Sequence, residues 1–467
     1  MSFFSQFFGN HRSPAEAEGD VEGERRQAPP RGNRKGSARA NLNFPSFRAS
    51  AIDRPLQDDD RTELGRARMV LRDVFTPSQP VVERTRFAGR LNVLQRLIEI
   101  IEEQRSHVVI YGERGIGKTS LMHILADLAR ESNYIVVYES CGANSNFDEI
   151  FRALLGEIPS LYLSTAAPTG PDVEGGRTLE EKIRGEVLNA RRVGELCSDI
   201  TGTRVIFILD EYDRVRNPEF RQGVAELIKN LSDRAARVQL VLAGVANDLQ
   251  ELIGFIPSIR RNVVGLPMPR MSEQEIRSLL RIGEQAASVE FDEEAARTIG
   301  LLSAGSPYLV RLIAHHASMR ALDSGRMKVN LADVWEAIDR AIEEAESRLS
   351  QYTLRHLERL SRIDGHFLGA LARAANTPDG WFIRDDVGQI LNASGGTFST
   401  VYLTSEVSDE DRAWRDAVLD MRGTGDEMQF RFRDEALPTY LWMVIARDGL
   451  ISKQKQSQSG EAGGRAA

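Results

Sequence analysis

The chain has 467 residues, of which 41% are hydrophobic and 27% are charged, with a formal net charge of −8. This composition is typical of a globular protein, and the length is enough for about three domains. The two cysteines, Cys141 and Cys197, exclude a disulfide framework and a thiolate zinc site and suit a reducing compartment. The sequence has neither an apolar stretch as long as a membrane span nor the pattern of a secretory leader. We therefore expect a cytoplasmic protein without a membrane span.

Residues 1–80 differ from the rest, and we expect them to be disordered. Residues 11–60 are rich in Arg, Gly, Pro, Glu and Ser and poor in aliphatic side chains, so they bury too little surface to offset the entropy of ordering. Residues 25–48 hold seven basic side chains and no acid. Such a segment either binds nucleic acid or an acidic surface, or is simply solvated. The phenylalanines at positions 3, 4, 7 and 8 would share one face of a helix, as in a docking peptide or an irregular terminus.

The most specific motif in the sequence occupies residues 112–119. They read Gly-Glu-Arg-Gly-Ile-Gly-Lys-Thr, which matches the phosphate-binding pattern G-x-x-x-x-G-K-[ST]. Residues 107–111 before the motif are rich in β-branched and aromatic side chains, and residues 120–129 after it have apolar side chains at helical spacing. Strand, loop and helix therefore follow in the order that a nucleotide triphosphate site requires.

The chemistry of a polyphosphate explains these residue types. Glycines let successive backbone N–H groups turn toward the phosphates, and the N-terminus of the next helix adds partial positive charge. Lys118 can reach the β- and γ-phosphates, and the Thr119 hydroxyl can bind Mg²⁺. The predicted nucleotide-binding residues of the loop are Gly112, Glu113, Arg114, Gly115, Ile116, Gly117, Lys118, Thr119 and Ser120.

A hydrophobic strand that ends in carboxylates supplies the other half of the predicted site. Residues 205–209 form an apolar run after Arg204, and Asp210 and Glu211 follow at its carboxyl end, where a parallel sheet binds ligands. We expect Asp210 to bind the Mg²⁺ shell and Glu211 to act on the attacking water. Further strand patterns at residues 133–138 and 238–244 alternate with helices and predict an α/β fold. Asn247, just past the second of them, is either a γ-phosphate sensor or a helix cap.

Together these features resemble the AAA+ and STAND P-loop ATPases, especially those with an origin-recognition-type or archaeal-type ATPase domain. The resemblance covers roughly residues 82–345 and includes the entry segment at residues 86–90, which borders the adenine in the family. It implies a parallel P-loop sheet with a helical lid, ATP and Mg²⁺ as cofactors, and a homo-oligomer or a protein partner. The segments that carry the resemblance are residues 86–90, 112–119, 210–211, 242–244 and 304–309.

The resemblance also implies two site residues beyond the loop. Arginines at residues 260 and 261 precede the last strand, where these ATPases often place an arginine that completes a neighbouring subunit's site, and we expect Arg261 to be that catalytic residue. Pro307 matches a proline that packs near the nucleotide in STAND proteins. The sequence departs from the AAA+ pattern on the same helix, because Tyr308 stands where a sensor arginine is usual and the nearest arginine is Arg311. Since Glu211 favours hydrolysis and the missing arginine disfavours it, the subtype stays open.

The remaining sequence is predicted to be mostly helical. The C-terminal part resembles the winged domains of archaeal-type ATPases, on helical patterns and on the residues Phe-Arg-Phe-Arg-Asp at 430–434. Its candidate recognition segment, residues 392–404, has no Lys or Arg, which disfavours strong phosphate contacts. The predicted domains are a disordered region (1–80), a P-loop ATPase core (81–270), a helical lid (271–350), a winged-helix-like domain (351–450) and a disordered tail (451–467).

Three functions agree with these features. The first is an AAA+ ATPase that hydrolyses ATP to ADP in an oligomer. The second is a STAND-type signalling or defence switch with slow hydrolysis. The third is an initiator or transposition helper that binds nucleic acid through the basic segment and the winged module.

Overall fold

The computed structural model describes residues 62–164, 177–253, 259–375, 377, 380–393, 400–404, 408–434 and 436–463. The phenylalanine stripe, the basic segment and much of the candidate recognition segment lie outside these residues. Among the described helices, none is both long and apolar enough to cross a membrane.

A five-stranded sheet forms the centre of the first half of the molecule. All of its strand pairs are parallel, and the strand order is β2-β3-β4-β1-β5. Because parallel strands end at the same edge, the carboxyl ends of β1 and β3 bring residues 112 and 210 to one side of the sheet. The strands are β1 (His107–Gly112), β2 (Ile135–Ser140), β3 (Val205–Asp210), β4 (Val238–Val245) and β5 (Val263–Pro267).

Helices cover both faces of this sheet. On β3, Ile206 and Ile208 belong to one hydrophobic cluster, while Phe207 and Leu209 belong to the cluster on the other face. Burial on two faces explains why the strands are continuously apolar rather than alternating. One face packs against α2 (Leu91–Glu99) and α3 (Lys118–Glu131), and the other packs against α4 (Phe147–Gly156), α5 (Ala190–Ser198) and α6 (Pro218–Asp233), with the short α7 (Leu249–Ile253) after β4.

The prediction of disorder through residue 80 is wrong at its C-terminal end. Residues Glu63–Val74 form a helix, α1, whose N-terminus is capped by the Thr62 hydroxyl. Its buried residues Ala67, Leu71 and Val74 recur at helical spacing and join the hydrophobic cluster of the lid. Burial of these apolar side chains offsets the entropy that is lost when the segment becomes ordered, which the polar composition alone does not indicate.

Four helices with a small two-stranded sheet form the lid. They begin and end within four residues of the helical patterns that the sequence has at residues 272–284, 292–302, 308–319 and 331–349. Phe75, which follows α1, packs edge to face on Phe291 of the lid with ring centroids 6.1 Å apart. The lid helices are α8 (Glu273–Ala287), α9 (Glu293–Ser303), α10 (Pro307–Asp323) and α11 (Leu331–Glu346), and the strands are β6 (Glu290–Phe291) and β7 (Lys328–Val329).

The C-terminal part combines helices with a three-stranded antiparallel sheet of order β8-β10-β9. Two helices extend beyond the helical patterns of the sequence, which cover residues 367–374 and 437–446: the first begins at Gln351, and the last continues to Gly463. The predicted disordered tail is therefore wrong for residues 451–463, which include the helix formers Lys, Gln and Glu. The winged-helix assignment stays a prediction. The elements are α12 (Gln351–Ala374), β8 (Phe382–Ile383), α13 (Arg384–Ala393), α14 (Asp409–Val418), β9 (Leu419–Arg422), β10 (Gln429–Phe432) and α15 (Leu437–Gly463).

Candidate nucleotide site

The glycine-rich loop joins β1 to α3 at the carboxyl edge of the sheet. Gly117 caps α3 in the left-handed region with φ of 94°, a conformation that disfavours other residues. A Cβ there would lie 2.9 Å from a guanidinium nitrogen of Arg90. The turn therefore favours glycine at 117, and the Arg90 guanidinium lies close to the loop backbone at this residue.

Lys118 is held inside the loop. Its side-chain nitrogen donates to the backbone oxygens of Gly112 at 2.9 Å and Glu113 at 2.8 Å, and only 8% of the residue is exposed. Burial lowers the pKa of Lys118 to about 8, although nearby carboxylates, chiefly Asp213 and Asp210, favour its charged form. The ammonium group is thus already positioned where phosphate oxygens would enter a loop of this kind.

Asp210 is a buried carboxylate with a full set of donors. Its Oδ2 accepts from the Thr119 hydroxyl at 2.7 Å and from the Tyr138 hydroxyl, and its Oδ1 accepts from the Glu211 backbone nitrogen at 2.7 Å. Only 4% of Asp210 is exposed. Thr119 and Asp210 therefore offer adjacent hydroxyl and carboxylate oxygens, which are the ligand types that Mg²⁺ prefers. The donor set fits the metal that the sequence predicts.

Glu211 follows Asp210 at the mouth of the site. Its backbone adopts the left-handed region with φ of 55°, which turns the chain sharply at the end of β3. The carboxylate accepts from the Ser140 hydroxyl at 3.1 Å and pairs with Arg214 at 3.0 Å. Since its side chain is 40% exposed, a carboxylate in this place remains accessible to water.

Asp213 is a third acid in the site, and the sequence motifs do not assign it. Its Oδ1 accepts from the backbone nitrogen of Val245 at 2.9 Å, which ties the loop after β3 to the end of β4. Asp213 is also the strongest of the charges that favour protonated Lys118. Its spacing three residues after Asp210, in the run Asp-Glu-Tyr-Asp, is the signal that could have found it.

The other predicted residues of the loop have different environments. Arg114 is exposed, whereas Ile116 is buried in the hydrophobic cluster beneath the loop. The Ser120 hydroxyl accepts from the backbone nitrogen of Val81 at 3.0 Å, so it fixes the chain that precedes the entry segment. Ile116 therefore contributes packing, and Ser120 connects α3 to the segment that enters the domain.

Arg90 of the entry segment lies between the loop and the lid. Its backbone nitrogen donates to Glu275 at 2.7 Å, and its guanidinium donates to the Pro269 carbonyl at 3.1 Å. Burial lowers the pKa of Arg90 to about 10. Because the guanidinium also approaches Gly117, the entry segment, the phosphate loop and the lid meet at this residue.

A second arginine, Arg270, connects the loop to the lid and is not predicted from the sequence. Its Nε lies 2.8 and 3.0 Å from the two carboxylate oxygens of Glu113, and its Nη2 lies 2.8 Å from one of them. Its Nη1 donates to the backbone oxygen of Ala304 at 3.2 Å. Since these partners are 157 and 34 residues away, periodicity and local motifs could not reveal the contact.

The start of α10 covers the phosphate loop. Pro307 is the first residue of this helix, which the Ser306 hydroxyl caps. A Cβ at Gly115 would lie 3.4 Å from the Cβ of Tyr308, so Tyr308 packs directly over the loop. Arg311 instead donates to the backbone oxygens of Val74 and Arg86, each at 3.2 Å. It therefore joins α1 to the entry segment.

The remaining predicted residues are three polar side chains at the surface. Asn247 is exposed just after β4, and its backbone nitrogen donates to Glu251 at 2.9 Å. Arg260 and Arg261 are exposed in the turn before β5. His107 at the start of β1 pairs with Val263 at the start of β5, so both arginines lie at the edge of the sheet opposite the loop. The structure does not bring Arg261 to the site of its own chain.

Comparison with known proteins identifies the domain that carries this site. Residues 101–253 match the family model described as an AAA domain. No curated protein sequence matches the chain.

Several solved structures have a similar chain course. The RuvB Holliday junction branch migration motor of Thermotoga maritima is 16% identical, with 79% of this chain and 97% of that chain covered and a TM-score of 0.42. Cdc6p from Pyrobaculum aerophilum is 17% identical, with 81% and 98% covered and a TM-score of 0.39. A Walker-type ATPase of Pyrococcus abyssi is 14% identical, with 79% and 99% covered and a TM-score of 0.46.

The parallel sheet, the glycine-rich loop at its carboxyl edge and the matched family model agree with one another. The chain therefore contains an AAA-type P-loop ATPase domain.

Proposed function

We propose that this domain binds ATP with Mg²⁺ and hydrolyses it to ADP and phosphate. The observation that carries the proposal is the convergence of Lys118, Thr119, Asp210 and Glu211 at the carboxyl edge of one sheet. A cation for the phosphates, oxygen ligands for the metal and a carboxylate for the water then occupy one site, which is what phosphoryl transfer to water requires.

Each residue has a defined part in the proposed reaction. Lys118 exchanges the carbonyl oxygens of Gly112 and Glu113 for oxygens of the β- and γ-phosphates. Thr119 and Asp210 would hold Mg²⁺, whose charge offsets that of the phosphates. Glu211 accepts a proton from a water molecule as the water oxygen bonds to the γ-phosphorus. The bond between that phosphorus and the β–γ bridging oxygen breaks, and ADP leaves.

Assembly is part of the proposal, because Arg261 lies too far from the loop of its own chain. The six residues of β1 separate the two edges of the sheet, which corresponds to about 20 Å. An exposed arginine at that edge is instead available to the phosphates of a neighbouring copy. We propose that the protein forms a homo-oligomer in which Arg261 neutralises transition-state charge in the adjacent site.

The Lys118→Ala variant tests both parts of this proposal. Titration with a fluorescent ATP analogue and Mg²⁺ should give saturable binding in the parent and at least tenfold weaker binding in the variant. Arg261→Ala should bind the nucleotide like the parent but hydrolyse it slowly. A mixture of the two variants should recover activity, because one copy supplies the arginine and the other supplies the intact loop.

The titration tests the nucleotide site, and the mixture tests the shared site. Equal affinity of the parent and the Lys118→Ala protein for the ATP analogue would contradict the proposed nucleotide site. Two results together would contradict only the shared site. The mixture would bind nucleotide normally without recovering activity, and the parent activity per subunit would stay constant from nanomolar to micromolar protein. Lys182→Ala is the control for a lost positive charge, since this lysine lies in a short helix outside the site.

A further inference from the structure

Strand β2, at the edge of the sheet, supplies one hydroxyl group to each carboxylate of the proposed site. Tyr138 and Ser140 are two residues apart, so their side chains lie on the same face of the strand. The Tyr138 hydroxyl donates to Asp210 Oδ2, and the Ser140 hydroxyl donates to Glu211 Oε2. Strand β2 therefore contacts the site through side chains, although it contributes no residue to the phosphate loop.

The Tyr138 ring is also fixed from a second element. It stacks on the His123 ring with centroids 5.0 Å apart and an angle of 15° between the planes. His123 lies on α3 four residues after Thr119, so the two side chains occupy the same side of the helix. The hydroxyls of Thr119 and Tyr138 meet at the same oxygen of Asp210. One helix thus determines the positions of both donors.

The hydrogen bond suits a carboxylate that is buried away from water. Asp210 is only 4% exposed, and each of its oxygens therefore needs donors in place of water. Without the phenol, Thr119 would be the only donor among these contacts that fixes Oδ2, and Thr119 is itself a proposed metal ligand.

We propose that Tyr138 is a positioning residue, which orients the Asp210 carboxylate toward Mg²⁺. This inference depends on the proposed binding of Mg²⁺ and nucleotide at the site. Hydrogen-bond partners of a metal-ligating side chain fix its orientation, and their loss typically lowers metal affinity by about 10–100-fold. Tyr138 thus contributes to the binding of Mg²⁺, whereas Lys118 and the loop bind the phosphates.

The Tyr138→Phe variant removes only the hydroxyl and keeps the ring that stacks on His123. A fluorescent ADP analogue would be bound to each protein at a series of Mg²⁺ concentrations, and again in EDTA. We expect the half-saturating Mg²⁺ concentration to rise about tenfold in the variant, while nucleotide affinity in EDTA stays that of the parent. His123→Leu should shift the Mg²⁺ requirement in the same direction by a smaller factor, because it frees the ring but keeps the hydroxyl.

Tyr134→Phe is the matched control, since Tyr134 precedes the same strand and packs against the same hydrophobic cluster. Its Mg²⁺ requirement should equal that of the parent. An unchanged or lower Mg²⁺ requirement in Tyr138→Phe would overturn the inference, as would an equal loss of affinity in EDTA. A parent that binds no nucleotide at any Mg²⁺ concentration would instead overturn the proposed function.

Discussion

His107, the first residue of β1, is buried in its neutral form. Its Nδ1 accepts from the backbone nitrogen of Leu240 at 2.9 Å, and only 2% of the residue is exposed. Burial lowers the pKa of His107 to about 4. Because the unfolded chain binds this proton more readily, the stability that neutral His107 contributes is complete above its ordinary pKa of 6.5 and is lost as the pH falls toward 4.

We expect acidification to destabilise the ATPase domain through this residue. Between pH 7.5 and pH 5 the linkage amounts to about 2 kcal/mol. His107→Asn keeps a side-chain acceptor but does not titrate, so urea unfolding at the two pH values should show a smaller loss in the variant than in the parent. His315→Asn is a second variant of the same kind, since burial also lowers the pKa of this lid histidine to about 4. Identical pH dependence in His107→Asn and the parent would contradict the assignment.

At the scale of single residues, the sequence is informative where the chemistry is local. Lys118 and Thr119 belong to one contiguous motif, and Asp210 ends a strand whose apolar run indicates burial, so their proximity follows from the topology of a parallel sheet. Arg270 is not predicted because it belongs to no motif and its partner Glu113 lies 157 residues away. Tyr138 is predicted only as part of a strand, since its contact with Asp210 depends on which neighbour β2 pairs with.

At the scale of elements, the Arg270 contacts join the phosphate loop to the lid. Arg270 binds the Glu113 side chain, and the Glu113 backbone oxygen accepts from Lys118. On the lid side, Arg270 donates to Ala304, two residues after Leu302, whose backbone oxygen accepts from the indole nitrogen of Trp442 at 3.0 Å. A continuous set of contacts thus runs from the nucleotide loop through the lid to the C-terminal helix α15.

Removing Arg270 should loosen this junction. Arg270→Gln leaves the Glu113 carboxylate without its cationic partner, and hydrogen bonds to charged groups contribute about 1.5–3 kcal/mol. We expect amide hydrogen exchange in residues 302–308 to accelerate at least about tenfold. In a protein that carries both Glu113→Gln and Arg270→Gln, the two effects should be less than additive. Arg277→Gln, which breaks an exposed lid pair with Glu293, should leave this exchange unchanged. Equal protection in Arg270→Gln and parent would show that the lid is held by other contacts.

Helix α1 shows why element prediction fails at the N-terminal boundary. Its apolar stripe is short, and the low hydrophobicity of the preceding 60 residues dominates the composition. The stripe gains its stability by packing on α8 and α10, which are more than 190 residues further along the chain. Conversely, the lid helices are predicted well because each has apolar side chains that recur at helical spacing within its own segment.

At the scale of the whole molecule, the sheet separates the two places of one subunit for which a role is proposed. The loop lies at the carboxyl edge of the strands and Arg261 lies at the opposite edge. The C-terminal sheet also reaches the ATPase domain, where Arg422 of β9 lies 3.7 Å from Glu251 in the helix after β4. Glu251 in turn accepts from the backbone of Asn247. Such long-range contacts depend on the packing of domains, which strand and helix patterns alone do not determine.

The central proposal is that the domain hydrolyses ATP with Glu211 as the carboxylate that accepts a proton from water. Single-turnover chemistry of Glu211→Gln tests it most directly. An excess of protein would be mixed with radiolabelled ATP and Mg²⁺, quenched at intervals and analysed for ADP, with the exposed Glu219→Gln as control. We expect parent and Glu219→Gln to convert their bound ATP, while Glu211→Gln binds ATP normally and converts it on the order of a hundredfold more slowly. Conversion at the parent rate in Glu211→Gln, or a parent that binds ATP and retains it unchanged, would contradict the proposed hydrolysis.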